Sequence, residues 1–195
     1  MLIMLPLILA SSSPYRRQLL QQLQLAFACH SPNIDESAKL GELPIQLVAR
    51  LATDKANAVA QSHPQHLIIA SDQVASLNNN ILSKPGCLAV ATQQLHQCSG
   101  QQVIFYTGLV LLNTHSGRLQ ECVETYTVKF RPLNDACIQR YLLAEQPYDC
   151  AGSFKMEGLG ISLFESLNGN DPNSLIGLPL IKLVTMLNNE GIAVP

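Results

Sequence analysis

Residues 7 to 23, LILASSSPYRRQLLQQL, pass from an apolar strand signal through three serines and a proline into a segment whose leucines share one helical face. No other stretch narrows the fold so far. A buried strand that turns at once into an amphipathic helix is the opening half of an α/β unit. A serine supplies a cap, Pro14 suits the first helical position, and Leu19, Leu20 and Leu23 form the inward face.

The rest of the chain continues this alternation. A second helix is predicted from Pro44 to about Gln61, where Leu47, Val48, Leu51, Ala52, Val59 and Ala60 recur near the 3.6-residue period, and Lys55 lies within it. HLIIASDQVASL, residues 66 to 77, reads as a short apolar strand ending in Ser71-Asp72-Gln73. It is the second place where polar side chains follow directly on a buried strand. QQVIFYTGLVLLNT and ECVETYTVKFRPL, separated by the turn-rich HSGR, read as a long antiparallel pair whose first member, apolar on both faces, is central. Helical patterns at about 134 to 144 and 174 to 189 flank the glycine-rich AGSFKMEGLG. The expected architecture is α/β, a mixed twisted sheet flanked by helices. With 195 residues, 47% of them apolar, and no repeat, low-complexity tract or charge run to mark a linker, residues 1–195 are expected to form one domain.

Charge and cysteine usage exclude several classes. Charged residues make up 13% of the chain and the net charge is −2, so a broad basic face for a nucleic acid polymer is not expected and any anion site should be small and local. The six cysteines contain no CxxC pair, which argues against zinc, a redox motif or a disulfide framework and fits reduced thiols in a cytoplasmic protein. The apolar opening MLIMLPLILA lacks a basic start, is interrupted by Pro6 and is too short for a membrane span. It reads as a start segment running into a buried strand, and no membrane association is expected.

Two sites emerge from the residues themselves. At a strand-to-helix junction the first helical N–H groups lack internal partners and the helix dipole is positive, so the serines and Arg16 are suited to a phosphate. The same stretch also fits a serine-capped surface helix with solvated arginines, and GxxxxGK[ST] is absent. Asp35 and Glu36 in PNIDES and Asp72 in ASDQ are acids at loop or strand-end positions. If two or three converge they can hold Mg²⁺ or Mn²⁺, and one can take a proton from water. Singly, such an acid is more often a turn former or cap. Asp72 leads, because ligands in open α/β sheets gather at the carboxyl ends of strands. His63 and His66 flank Pro64 in a loop and His30, His96 and His115 read as isolated, so no histidine metal site is expected.

LILASSSPYRR, DE at 35 to 36, SDQ at 71 to 73, SKP at 83 to 85, AGSFKMEGLG at 151 to 160 and GLPL at 177 to 180 together resemble, in order and over nearly the whole chain, the Maf family of nucleotide pyrophosphatases. The resemblance implies a Maf/inosine-triphosphatase-like fold and hydrolysis of a nucleoside triphosphate between its α and β phosphates, with a divalent cation. It implies Asp72 as proton acceptor, Ser11, Arg16, Lys55 and Lys84 as phosphate-handling residues, and Glu36, with Asp72, as acids serving the metal and catalysis. Arg17 matches a variable position, and Glu124 corresponds more loosely to an acidic one. The partner implied is a small-molecule nucleotide. The family often forms homodimers, although no pattern in this chain identifies an interface.

Tyr15 and Glu157 depart from the commoner branches, which act on dTTP and UTP and carry arginine and glutamine at those positions. The pair resembles the branch that prefers 7-methyl-GTP. A methylated guanine is cationic, and an aromatic face attracts a cation by about 0.5 to 2 kcal/mol where arginine would repel it. Glu157 can accept from the guanine N1–H and amino group, and Gln73 can add a polar contact to the base. The competing expectations are a dTTP or UTP pyrophosphatase of the same family and a non-catalytic nucleotide-binding regulator of cell division.

Overall fold

The junction at residues 7 to 23 folds as its chemistry requires. In a computed structural model that describes residues 5–194, β1 (Leu7–Leu9) leads into α1 (Pro14–Gln21). Ser13 caps that helix by accepting from the Arg16 N–H at 3.3 Å, and Ser11 Oγ accepts from the Ser13 N–H at 3.1 Å. Residues 1–4 of the apolar opening lie outside the described residues. In chain order there follow β2 (Phe27–Cys29), α2 (Pro44–Ala60), β3 (Leu67–Leu77), β4 (Asn80–Leu82), α3 (Leu88–Cys98), β5 (Gln102–Asn113) and β6 (Leu119–Phe130). The remainder comprises α4 (Asp135–Glu145), β7 (Phe164–Gly169), α5 (Pro172–Ile176) and α6 (Leu180–Asn189).

The seven strands form one mixed sheet in the order β2-β1-β3-β5-β6-β7, with β4 paired to β3. β1 runs parallel to β2 and β3, and every other pairing is antiparallel. β5 is central, as its two apolar faces predict, and is joined to β6 through the expected turn. One sheet face carries Ile8, Ala10, Ile68, Ala70 and Val110 against Ala52, Ala56 and Val59 of α2. The other packs Leu9, Ile69, Leu109 and Leu111 against α1 and α6, and further along packs Val103, Phe105, Val128 and Phe130 against α3 and α4. Gly108 allows α2 to lie directly on β5, because a Cβ there would stand 2.3 Å from the Val48 carbonyl oxygen.

Three expectations need correction. β3 does not end at Ser71-Asp72-Gln73 but continues to Leu77, since β5 and β4 still pair with it beyond the point where β1 stops. The parallel register ends at Leu9 opposite Ile69, so Asp72 lies just past the carboxyl end of the parallel portion. The helical pattern at 174 to 189 is two helices, broken where Gly177 adopts φ +119°. His30 is not isolated: its ring lies 4.2 Å from that of His63, which is 5.5 Å from His66. Among the described residues no group of three or more His, Cys, Asp or Glu is arranged to hold a metal ion by itself. No helix among them is long and apolar enough to cross a membrane.

Candidate active site

Strand parity and helix period meet at one point. Lys55 occupies the buried stripe of α2, four residues after Leu51 and three after Ala52, so its side chain is driven against the sheet and the residue is buried. Asp72 shares the α2-facing side of β3 with Ile68 and Ala70. The two side chains meet at 2.6 Å between Nζ and Oδ1. Glu36, from the loop between β2 and α2, closes on the same ammonium at 2.8 Å. Burial raises the pKa of the Glu36 carboxyl, but the hydrogen bond and charge of Lys55, with the charges of Lys84 and Arg16, bring it net below the ordinary range.

The opposite side of β3 anchors the far wall. Ser71 Oγ and Arg16 Nε both donate to the Gly177 carbonyl, at 2.8 and 2.9 Å, and a Cβ at Gly177 would stand 3.3 Å from Arg16 Nε. This fixes the Arg16 guanidinium beside Ser11, 3.5 Å from Nη1 to Oγ. Desolvation lowers the pKa of that guanidinium, and Asp72 and Glu36 oppose the shift. Gln73 Nε2 donates to the Ser174 and Leu175 carbonyls at 2.6 and 3.1 Å. Its amide nitrogen therefore secures α5.

These elements surround a cleft of about 840 Å³, and nine of the residues singled out from the sequence line it: Ser11, Tyr15, Arg16, Glu36, Lys55, Asp72, Gln73, Lys84 and Glu157. At one end are the serines, Arg16, Lys55 and the exposed Lys84. At the other, Tyr15 donates to Asp149 Oδ2 at 3.5 Å and lies within electrostatic reach of Glu157, over apolar lining that includes Phe105, Phe154 and Met156. Burial raises the Tyr15 phenol well above its usual range, so it stays protonated. Glu145 and Tyr141 of α4 pin the loop bearing Glu157: Glu145 Oε2 accepts from the Leu159 N–H at 2.7 Å and Tyr141 Oη from the Lys155 N–H at 3.1 Å.

Other residues fall elsewhere. Asp35 accepts from the Ser37 N–H at 2.9 Å as a turn former and lines a separate depression. Glu124 does not line the cleft; it lies across from Thr107 in the sheet, 4.0 Å from Lys182. Asp149, Cys150 and Phe105 line the cleft but nothing in their local pattern marks them, whereas Phe154, also in the lining, lies within the AGSFKMEGLG motif without a role assigned to it. The roles of Ser71 and Gly177 were also missed, although GLPL stood out as a motif. Glu36 and Asp72 are the carboxylates that meet on one cation, and two such oxygen donors suit a hard ion that keeps several waters and takes further oxygens from phosphates.

The ordered motifs that build this cleft are matched by a family-wide pattern: residues 6–190 fit the family described as Maf-like protein. The chain belongs to that family. A Pseudomonas putida protein named 7-methyl-GTP pyrophosphatase is 58% identical over 192 residues, 98% of this chain and 100% of that one. Its counterparts of the same name in Pseudomonas aeruginosa and Alcanivorax borkumensis are 57% and 55% identical over 189 residues. They cover 97% of this chain and 98% and 96% of their own. Among solved structures, the Staphylococcus aureus Ham1 protein superposes with a TM-score of 0.48 at 13% identity over 80% of this chain and 89% of that one, too distant to bear on function.

Proposed function

We propose that this Maf-family protein is a nucleoside triphosphate pyrophosphatase that hydrolyses 7-methyl-GTP to 7-methyl-GMP and pyrophosphate. The observation that carries the reading is the polarity of the cleft. Hydroxyl groups, Arg16, Lys84 and Lys55 with its two paired carboxylates Glu36 and Asp72 occupy one end, and an aromatic ring with Asp149, Glu157 and Lys155 occupies the other. A triphosphate fits the first end and a positively charged purine the second. The names of the full-length relatives support the same substrate.

In this mechanism Arg16 and Lys84 neutralise phosphate oxygens, and the serine-capped start of α1 offers N–H and hydroxyl donors to the same chain of phosphates. Lys55, fixed between Asp72 and Glu36, keeps both carboxylates oriented into the cleft. Asp72 accepts a proton from the attacking water. A divalent ion, Mg²⁺ or Mn²⁺, bound through Glu36 and Asp72 would neutralise further charge on the triphosphate. The cytoplasm is the proposed setting, in keeping with six free thiols.

The test is a substrate panel read out as released pyrophosphate. 7-methyl-GTP is expected to turn over well ahead of UTP, dTTP and GTP, with chelation of divalent ions abolishing activity. Equal turnover of UTP and 7-methyl-GTP would refute the specificity, and inorganic phosphate as the product would refute the reaction. For Asp72→Asn, nucleotide binding is expected to survive while kcat falls by at least about 100-fold. Unimpaired hydrolysis would remove Asp72 as the proton acceptor, and absence of turnover by the native protein would favour a nucleotide-binding regulator.

A further inference from the structure

The Tyr15 end of the cleft holds a second carboxylate with no assigned part, Asp149, on the loop after α4. Its two oxygens are engaged unusually for a surface acid. Oδ2 accepts from the Tyr15 hydroxyl at 3.5 Å and Oδ1 from the Cys150 thiol at 3.4 Å. Both donors are neutral. Burial keeps the Cys150 thiol protonated, with its pKa pushed up to about 12, and the Tyr15 phenol is raised as well. No cation pairs with Asp149 or Glu157 among the described residues. The nearby Lys155 is drawn towards Glu145, at 3.8 Å. The base end of the cleft therefore carries two exposed carboxylates without an ion-pair partner beside one aromatic ring, while Lys155 there is held by Glu145, and the phosphate end holds Arg16, Lys55 and Lys84 with Glu36 and Asp72.

We propose that Asp149 is a specificity-determining residue. Its charge favours a cationic purine over the neutral parent, and its hydrogen bond to Tyr15 holds the ring in the pose that stacks on that purine. A neutral guanine gains nothing from the charge, whereas N7 methylation spreads a positive charge over the ring it faces. This inference rests on the 7-methyl-GTP reading and adds a residue to it. Because GTP and 7-methyl-GTP share the triphosphate, the ratio of their kcat/KM values cancels the phosphate end and isolates the base.

The experiment measures that ratio in the native protein, Asp149→Asn and Asp149→Glu at low and high salt. Asparagine keeps the size of the side chain and an acceptor for the Tyr15 hydroxyl while removing the charge. In Asp149→Asn, kcat/KM for 7-methyl-GTP is expected to fall about tenfold, chiefly through KM, with the GTP value changed less than about twofold. The ratio should decline with salt in the native protein and less steeply in Asp149→Asn, where Glu157 keeps its charge, and Asp149→Glu should recover most of it. A ratio unchanged in Asp149→Asn, or equal losses for both nucleotides, would overturn the proposal. If the native protein shows no preference for 7-methyl-GTP, the underlying reading fails; if the preference survives loss of the Asp149 charge, only this inference does.

Discussion

At the scale of single residues the site depends on one buried ammonium. Lys55 holds Asp72 at 2.6 Å and Glu36 at 2.8 Å, and its side chain is only 7% exposed. Removing one partner of a buried pair leaves the other charge uncompensated, at a cost of roughly 3 to 5 kcal/mol in a sealed site. Here the cleft admits water, so Lys55→Met is expected to lose about 2 kcal/mol of stability, measurable by denaturant titration, together with nearly all turnover. The specificity residues should behave differently, because Tyr15 is only half-buried at the mouth of α1. Tyr15→Arg is expected to keep its melting temperature within about 2 °C while losing about tenfold in kcat/KM for 7-methyl-GTP relative to GTP. Much of this was legible beforehand, for Lys55 sits on the apolar period of its helix. The pairing of Lys55 with Asp72 was not, since seventeen residues separate them and only the packing of α2 across the sheet closes that gap.

At the scale of elements, the position of α2 is set by contact with backbone. Gly108→Ala would drive a methyl group into the Val48 carbonyl, so the helix must shift or the strand must bend. A loss of about 2 kcal/mol is expected in denaturant titration, with reduced turnover because Lys55 moves with the helix. The loop that delivers Glu36 is tied to the same helix by Glu42, whose carboxylate takes Arg50 Nε at 2.6 Å and Nη2 at 2.7 Å. Those bonds lower the Glu42 pKa from the ordinary 4.5 to about 2. A depressed carboxyl pKa stabilises the folded form above the unfolded value, and the effect is lost as the pH falls through the folded one. Hydrogen exchange in residues 37–43 should therefore be flat above about pH 5 after correction for intrinsic rates, with protection declining steadily towards pH 2. No short motif announces this tether. It requires an acid and an arginine eight residues apart to be brought round the turn that starts α2.

At the scale of the whole molecule, the cleft exists because β3 outlasts β1. The parallel pairing ends at Leu9 and Ile69, and the strand, still paired to β5, carries Ser71, Asp72 and Gln73 past the end of β1. Successive residues then serve opposite faces, Asp72 towards Lys55 and Ser71 towards Gly177. The sequence by itself determined the strand-to-helix junction, the helices α2 and α4 though not α3, which is as long as α4, the central antiparallel pair and the residue types at the site. These are local matters of period, capping and charge, written in neighbouring positions. The tertiary structure alone decided that β3 continues, that His30 meets His63, that Gln73 spends its amide nitrogen on α5 and that Asp149 reaches Tyr15 across 134 residues. Such contacts depend on register and on how elements from distant parts of the chain pack, and no short window of sequence encodes the distance between two side chains that meet only when the whole sheet has formed.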